Sequence, residues 1–71
     1  MEMTSTQWAA IRDEAMALLG GETRYAAQIS HHLVTLRNFG PDVLRCFADV
    51  RSNQQRALRA LLTAYDKESS R

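Results

Sequence analysis

Helix-breaking residues fall in only two places in this chain, Gly20–Gly21 and Gly40–Pro41, and those positions hold all of its three glycines and its one proline. The intervening stretches are rich in Ala, Leu, Arg, Gln and Glu, all good helix formers. No stretch alternates apolar and polar residues with β-branched enrichment, so strand signals are absent. The two breaks therefore predict an all-α chain of three segments.

The first segment announces its own start. Thr4 and Gln7 have capping-box spacing, and Met3 and Trp8 occupy the flanking positions of a hydrophobic staple. Trp8, Ile11, Ala15 and Leu18 then recur at helical intervals, Leu19 widens the stripe, and Gly20 is a natural stop. This predicts a helix over about 5–19. In the second segment Tyr25, Ile29, Leu33 and Leu36 form the stripe, with His32, Val34 and Phe39 beside it, over about 22–39. One apolar rhythm runs through both segments, interrupted only by Glu22. Two adjacent glycines cost a helix interior about 2 kcal/mol relative to alanine. A turn or hinge is therefore favoured at Gly20–Gly21, with a single long bent helix as the alternative.

Pro41 suits the first position of the next helix and disfavours helix at the residue before it. Val43, Phe47, Val50, Gln54, Leu58, Leu61 and Tyr65 follow at spacings of three and four, predicting a helix over about 42–66. Residues 51–56 contain no apolar side chain, so that stretch either faces water or breaks; Ser52 and Gln55 have the spacing to restart a helix. The result is one domain, 1–71, built as a small antiparallel helical unit with residues 1–4 and 67–71 frayed.

Length excludes much of the function space. With 71 residues the chain is far too short for a doubly wound or barrel enzyme. It has no run of eighteen apolar residues to span a bilayer. Residues 1–6 are polar and acidic, unlike a signal peptide. A single cysteine, Cys46, cannot form an internal disulfide, and a reducing cytoplasm is the default location. A core this small rarely supplies more than roughly 3–5 kcal/mol, a shortfall usually met by disulfides, a metal or a second subunit.

No metal or catalytic centre can be read from the spacing. His31 and His32 are adjacent, about 100° apart on a helix, and positions three and four residues away carry no ligand. His32 is expected on the apolar stripe and His31 at its edge. Cys46, at the margin of the third stripe, reads as a small buried hydrophobe without a thiolate-stabilising neighbour. Asp13 and Glu14 are adjacent rather than paired across a cleft, and Asp42 and Asp66 look like helix-terminal residues. The expectation is a protein that is not an enzyme and holds no cofactor. With disulfide and metal both set aside, a homodimeric bundle becomes the expected source of stability. Trp8, Ile11, Leu18, Tyr25, Ile29, Leu33, Leu36, Phe47, Leu58 and Leu61 would form its core and dimer contacts.

Charge gives the clearest functional hint. The chain is nearly neutral, at +1, but residues 1–41 carry −1 and residues 42–71 carry +2. Between Leu44 and Thr63 stand Arg45, Arg51, Arg56 and Arg59 against only Asp49. A solvated helix face is the plain reading of such a stripe. The functional reading is a surface for a protein partner, with Arg45, Arg51, Arg56 and Arg59 pairing with carboxylates and Tyr65 as aromatic anchor. The competing class is a small DNA-binding regulator, since two helices flanking Asn38–Asp42 superficially fit helix-turn-helix. Against it stand the near-zero net charge and the Asp42–Val43 start of the would-be recognition helix.

Residues 6–15, TQWAAIRDEA, and 55–65, QRALRALLTAY, resemble segments of small early proteins of Mu-like phages of pseudomonads that inhibit host quorum sensing. The resemblance covers about 21 of 71 residues and rests on helical texture and size. It implies a compact helical dimer acting in the host cytoplasm. Its partners would be a LuxR-type transcription activator, kept from DNA, and the type IV pilus assembly ATPase. No site residues carry over from it.

Overall fold

A computed structural model describes residues 2–48 and 55–70, and within them the chain is helical without strands. Its elements are α1 (Ser5–Leu18), a short 3-10 turn (Thr23–Tyr25), α2 (Ala26–Phe39), α3 (Pro41–Ala48) and α4 (Arg56–Ser69).

Helix α1 starts as its sequence dictates. Thr4 Oγ1 accepts from the Gln7 N–H at 3.1 Å, and Gln7 Oε1 accepts from the Thr4 N–H at 2.8 Å, closing the capping box. The helix ends in a Schellman motif: Gly21 N–H donates to Met16 O at 2.9 Å and Gly20 N–H to Ala17 O at 3.0 Å. Gly20 and Gly21 have φ of 75° and 71°, a left-handed geometry that a Cβ would strain. The double glycine is thus a reversal, and the single bent helix across it does not form. Gly40, at φ 86°, ends α2, and Pro41 opens α3 at once.

The main correction concerns the third segment, which is two helices rather than one helix over 42–66, making four in all among the described residues. Helix α3 packs beside α4 rather than running on into it. In one continuous helix Arg45 and Asp66 would stand about 31 Å apart, at about 1.5 Å per residue. Here Arg45 Nη2 donates to Asp66 Oδ1 at 2.6 Å. The proposed restart residue Ser52, like Val50 and Gln54 of the predicted stripe, lies outside the described residues.

Helix α4 occupies the centre and packs against α1, α2 and α3. Ala57, Leu58, Ala60, Leu61, Leu62 and Ala64 are all buried, a broader arc than a helix with one neighbour would show. Three of those six are alanines, which let the surrounding helices approach closely. Ile11 and Ala15 of α1, Tyr25, Ile29 and Leu36 of the second segment, and Leu44 of α3 complete the core. Trp8 and Leu33 pack at its margin. Every buried residue among those described is apolar.

Two residues of the expected core and dimer contacts lie outside the core of the single chain: Leu18 is 50% exposed and Phe47 57%. The separation of α3 from α4 explains Phe47. The predicted stripe carried one phase through Val43, Phe47 and Leu58, but a separate α3 sets its own phase and turns Leu44 inward instead. Cys46, expected to be buried, is exposed for the same reason. Leu18 sits in the last position of α1, where the chain is already leaving the helix. At the other end, α4 continues through Ser69, and Lys67 Nζ donates to Glu14 Oε1 at 3.0 Å, so order extends into the tail expected to fray.

The radius of gyration is 11.1 Å, matching the roughly 11 Å that compact domains of this length adopt. The described helices of the chain share one apolar core. Truncating Leu61 to Ala should cost about 2–5 kcal/mol in urea unfolding, enough to unfold much of so small a domain. Leu18→Ala should change stability by less than about 0.5 kcal/mol. Equal losses for the two would contradict this placement.

Candidate protein-binding surface

The five residues expected to form one binding face are divided between separate places in the fold. Arg45 lies on α3 and bridges two carboxylates, Asp66 at 2.6 Å and Asp42 at 3.5 Å. Its guanidinium ties α3 to the C-terminal half of α4. Asp66, read from sequence as a terminal residue, is the other half of that tie. Arg51 lies outside the described residues.

Arg56 and Arg59 belong to the opposite half of α4, about 15 Å and about 10 Å along the axis from Asp66. They line an open groove of about 410 Å³ with Leu18, Leu19, Glu22, Tyr25, Ala60 and Thr63. Arg24 stands at its edge: it pairs with Glu22 at 3.1 Å, donates to the Tyr25 hydroxyl at 3.0 Å, and lies 4.8 Å from the Tyr25 ring centroid. The groove therefore mixes basic groups with an already partnered carboxylate.

Tyr65 lies elsewhere, in an open groove of about 530 Å³ shared with Glu2, Met3, Trp8, Val34, Leu36, Arg37, Asn38 and Gly40. Its ring stacks on Trp8 at 6.0 Å between centroids and 26° between planes. Arg37 crosses from α2 to set its guanidinium carbon 5.7 Å from the Trp8 ring centroid. Each element delivers its part for a local reason. The capping box and the Met3–Trp8 staple position fix Trp8 on the first turns of α1. Arg37 sits in the last turn of α2, where cationic charge suits the helix dipole. Tyr65 extends the buried Leu58–Leu62 ridge of α4 to the surface.

Sequence reasoning assigned Trp8 to the core and Tyr65 to the surface, and did not single out Arg37. Trp8 and Tyr65 are in fact partners, half-buried with their faces together. No spacing signal links 8, 37 and 65, since three separate helices bring them together. The only local hint was that Trp8 and Tyr65 each sat at the end of an apolar stripe.

His31 and His32 behave as the spacing suggested, with His31 exposed and His32 half-buried. Their rings meet edge to face at 5.5 Å, beside a shallow groove lined by Ala27, Gln28 and Gln55. Among the described residues, no group of three or more His, Cys, Asp or Glu converges to hold a metal ion. No described helix is long and apolar enough to cross a membrane. Comparison with known protein families, curated proteins and solved structures finds no match for this chain.

Burial, reinforced by the neighbouring His31, lowers the His32 pKa below the ordinary 6.5. The unfolded chain therefore binds this proton more readily than the folded one. The stability tied to neutral His32 is complete above about pH 6.5 and declines as pH falls toward the folded-state pKa. Thermal scans between about pH 7.5 and 5.5 should show a falling Tm, with a shallower slope for His32→Gln. Equal slopes in the two proteins would contradict it.

Proposed function

We propose that this chain is a small helical protein-binding regulator that inhibits a bacterial protein by covering its functional face. The observation that supports it is the groove where Trp8, Tyr65 and Arg37 meet. Trp, Tyr and Arg are the side chains most enriched among energetic hot spots of protein interfaces. Here all three are partly open to solvent in one concave surface, with exposed Val34 on its wall. A partner segment bearing an apolar side chain and a carboxylate would fill the groove against Trp8 and pair with Arg37. Arg56 and Arg59, at the other end of α4, would supply a second, peripheral contact to acidic groups. Arg45 is committed within the chain to Asp66 and Asp42 and takes a supporting place in this reading.

The resemblance to phage anti-quorum-sensing proteins suggests the targets to try: a LuxR-type activator, whose DNA binding would be blocked, and the type IV pilus assembly ATPase. Binding of either purified target should weaken by more than about tenfold in Arg37→Glu, as loss of an interface hot spot requires. Unchanged affinity would remove the groove from the interface. The DNA-binding reading would instead give tight association with random duplex and a steep salt dependence, carried by Arg56 and Arg59. Its absence at low salt would exclude that class.

A further inference from the structure

Arg37 is held differently from Arg12, Arg24 and Arg45, each of which pairs with a carboxylate. It is exposed in the last turn of α2 and, among the described residues, makes no ion pair. Its guanidinium carbon lies instead over the Trp8 ring, 5.7 Å from the centroid. Glu2 is the one carboxylate lining the same groove, and it leaves Arg37 unpaired.

We infer that Arg37 is a latch on this groove. In the free protein it covers Trp8, and a carboxylate of the partner draws it away, so the acidic contact opens the aromatic surface to the apolar one. The inference rests on the protein-binding reading of the groove and adds to it the coupling of its two contacts.

The hold is weak and the ring beneath it is fixed. A cation over an aromatic ring at an exposed site is among the weaker attractions of a protein surface. A carboxylate offers the same guanidinium two parallel, charge-assisted hydrogen bonds in a planar fork. Trp8, by contrast, is set by the capped first turns of α1 and by its stack on Tyr65, at 6.0 Å between centroids. When Arg37 swings aside, the ring stays in place.

Exclusion of water then makes the latch selective. A segment that covers the groove takes Arg37 out of water. If the segment brings a carboxylate, that charge is paired as it is buried. If it brings only apolar side chains, the charge is buried unpaired, which is costly. An apolar segment without an acidic group is therefore disfavoured at Trp8, and removing the Arg37 charge removes that selection.

Trp8 is the chain's single tryptophan, so the latch can be read on the free protein with no target present. Acrylamide, a neutral quencher, should quench Trp8 fluorescence more strongly in Arg37→Gln than in wild type. The Trp8 indole N–H resonance should also be titrated with N-acetyl-leucine, which carries a carboxylate, and with its neutral amide. Wild type should bind the acid about fivefold more tightly than the amide, the upper range of one exposed ion pair. Arg37→Gln should bind the two alike, and should bind the amide more tightly than wild type does, because its ring is already open. A plain ion pair with no latch would leave amide binding unchanged by the substitution. That result, equal quenching in the two proteins, or no preference for the acid in wild type would overturn the inference. Because these readings need no target, they are separate from the loss of target binding in Arg37→Glu that tests the groove as an interface.

Discussion

Burial of α4 is the constraint on which the rest of this small domain depends. Leu58, Leu61 and Leu62, spaced by buried alanines, can leave water only if helices cover them from several sides. The chain has just three other helices among its described residues, and all of them pack there. This is why α3 must pack beside α4 rather than continue into it, and why Gly20–Gly21 must be a turn rather than a bend. The surface ion pairs across α4, Arg45–Asp66 and Lys67–Glu14, decorate that arrangement. Each is solvent-accessible and worth at most about 1 kcal/mol, so they select a register more than they drive the packing.

The local elements were legible because their causes are local. A capping box, a terminal glycine pair and a proline after glycine each state where a helix begins or stops, and α1 and the end of α2 fall close to where these signals put them. Helix α2 starts only at Ala26, after the 3-10 turn Thr23–Tyr25, rather than at about 22. The stripe of the third segment misled because periodicity does not show where one helix ends and another with its own phase begins. Extending one phase from Leu58 back through Phe47 assumed rigid continuity. The independent α3 rotated Leu44 inward and carried Val43, Cys46 and Phe47 outward. The same assumption lined up Arg45 with Arg56 and Arg59 on a face that the fold divides. Tyr65 was found as a surface aromatic, but its partnership with Trp8 and Arg37 is a tertiary fact joining residues from three helices.

These corrections redistribute the surface chemistry. A single arginine stripe gives way to two distinct regions: an aromatic groove crossed by Arg37 and a mixed groove beside Arg56 and Arg59. Though short, the chain buries a shared apolar core between its own helices.

The groove around Trp8 is the centre of the proposed binding surface, and the chain's single tryptophan makes it directly observable. Incorporating 5-fluorotryptophan gives one fluorine resonance, from position 8, which can be followed while an unlabelled LuxR-type activator or pilus ATPase is titrated in. If the groove is the binding surface, that resonance shifts and broadens in step with complex formation. A complex that forms while the Trp8 signal keeps its free-state shift, broadened only by the slower tumbling of the larger assembly, would contradict it.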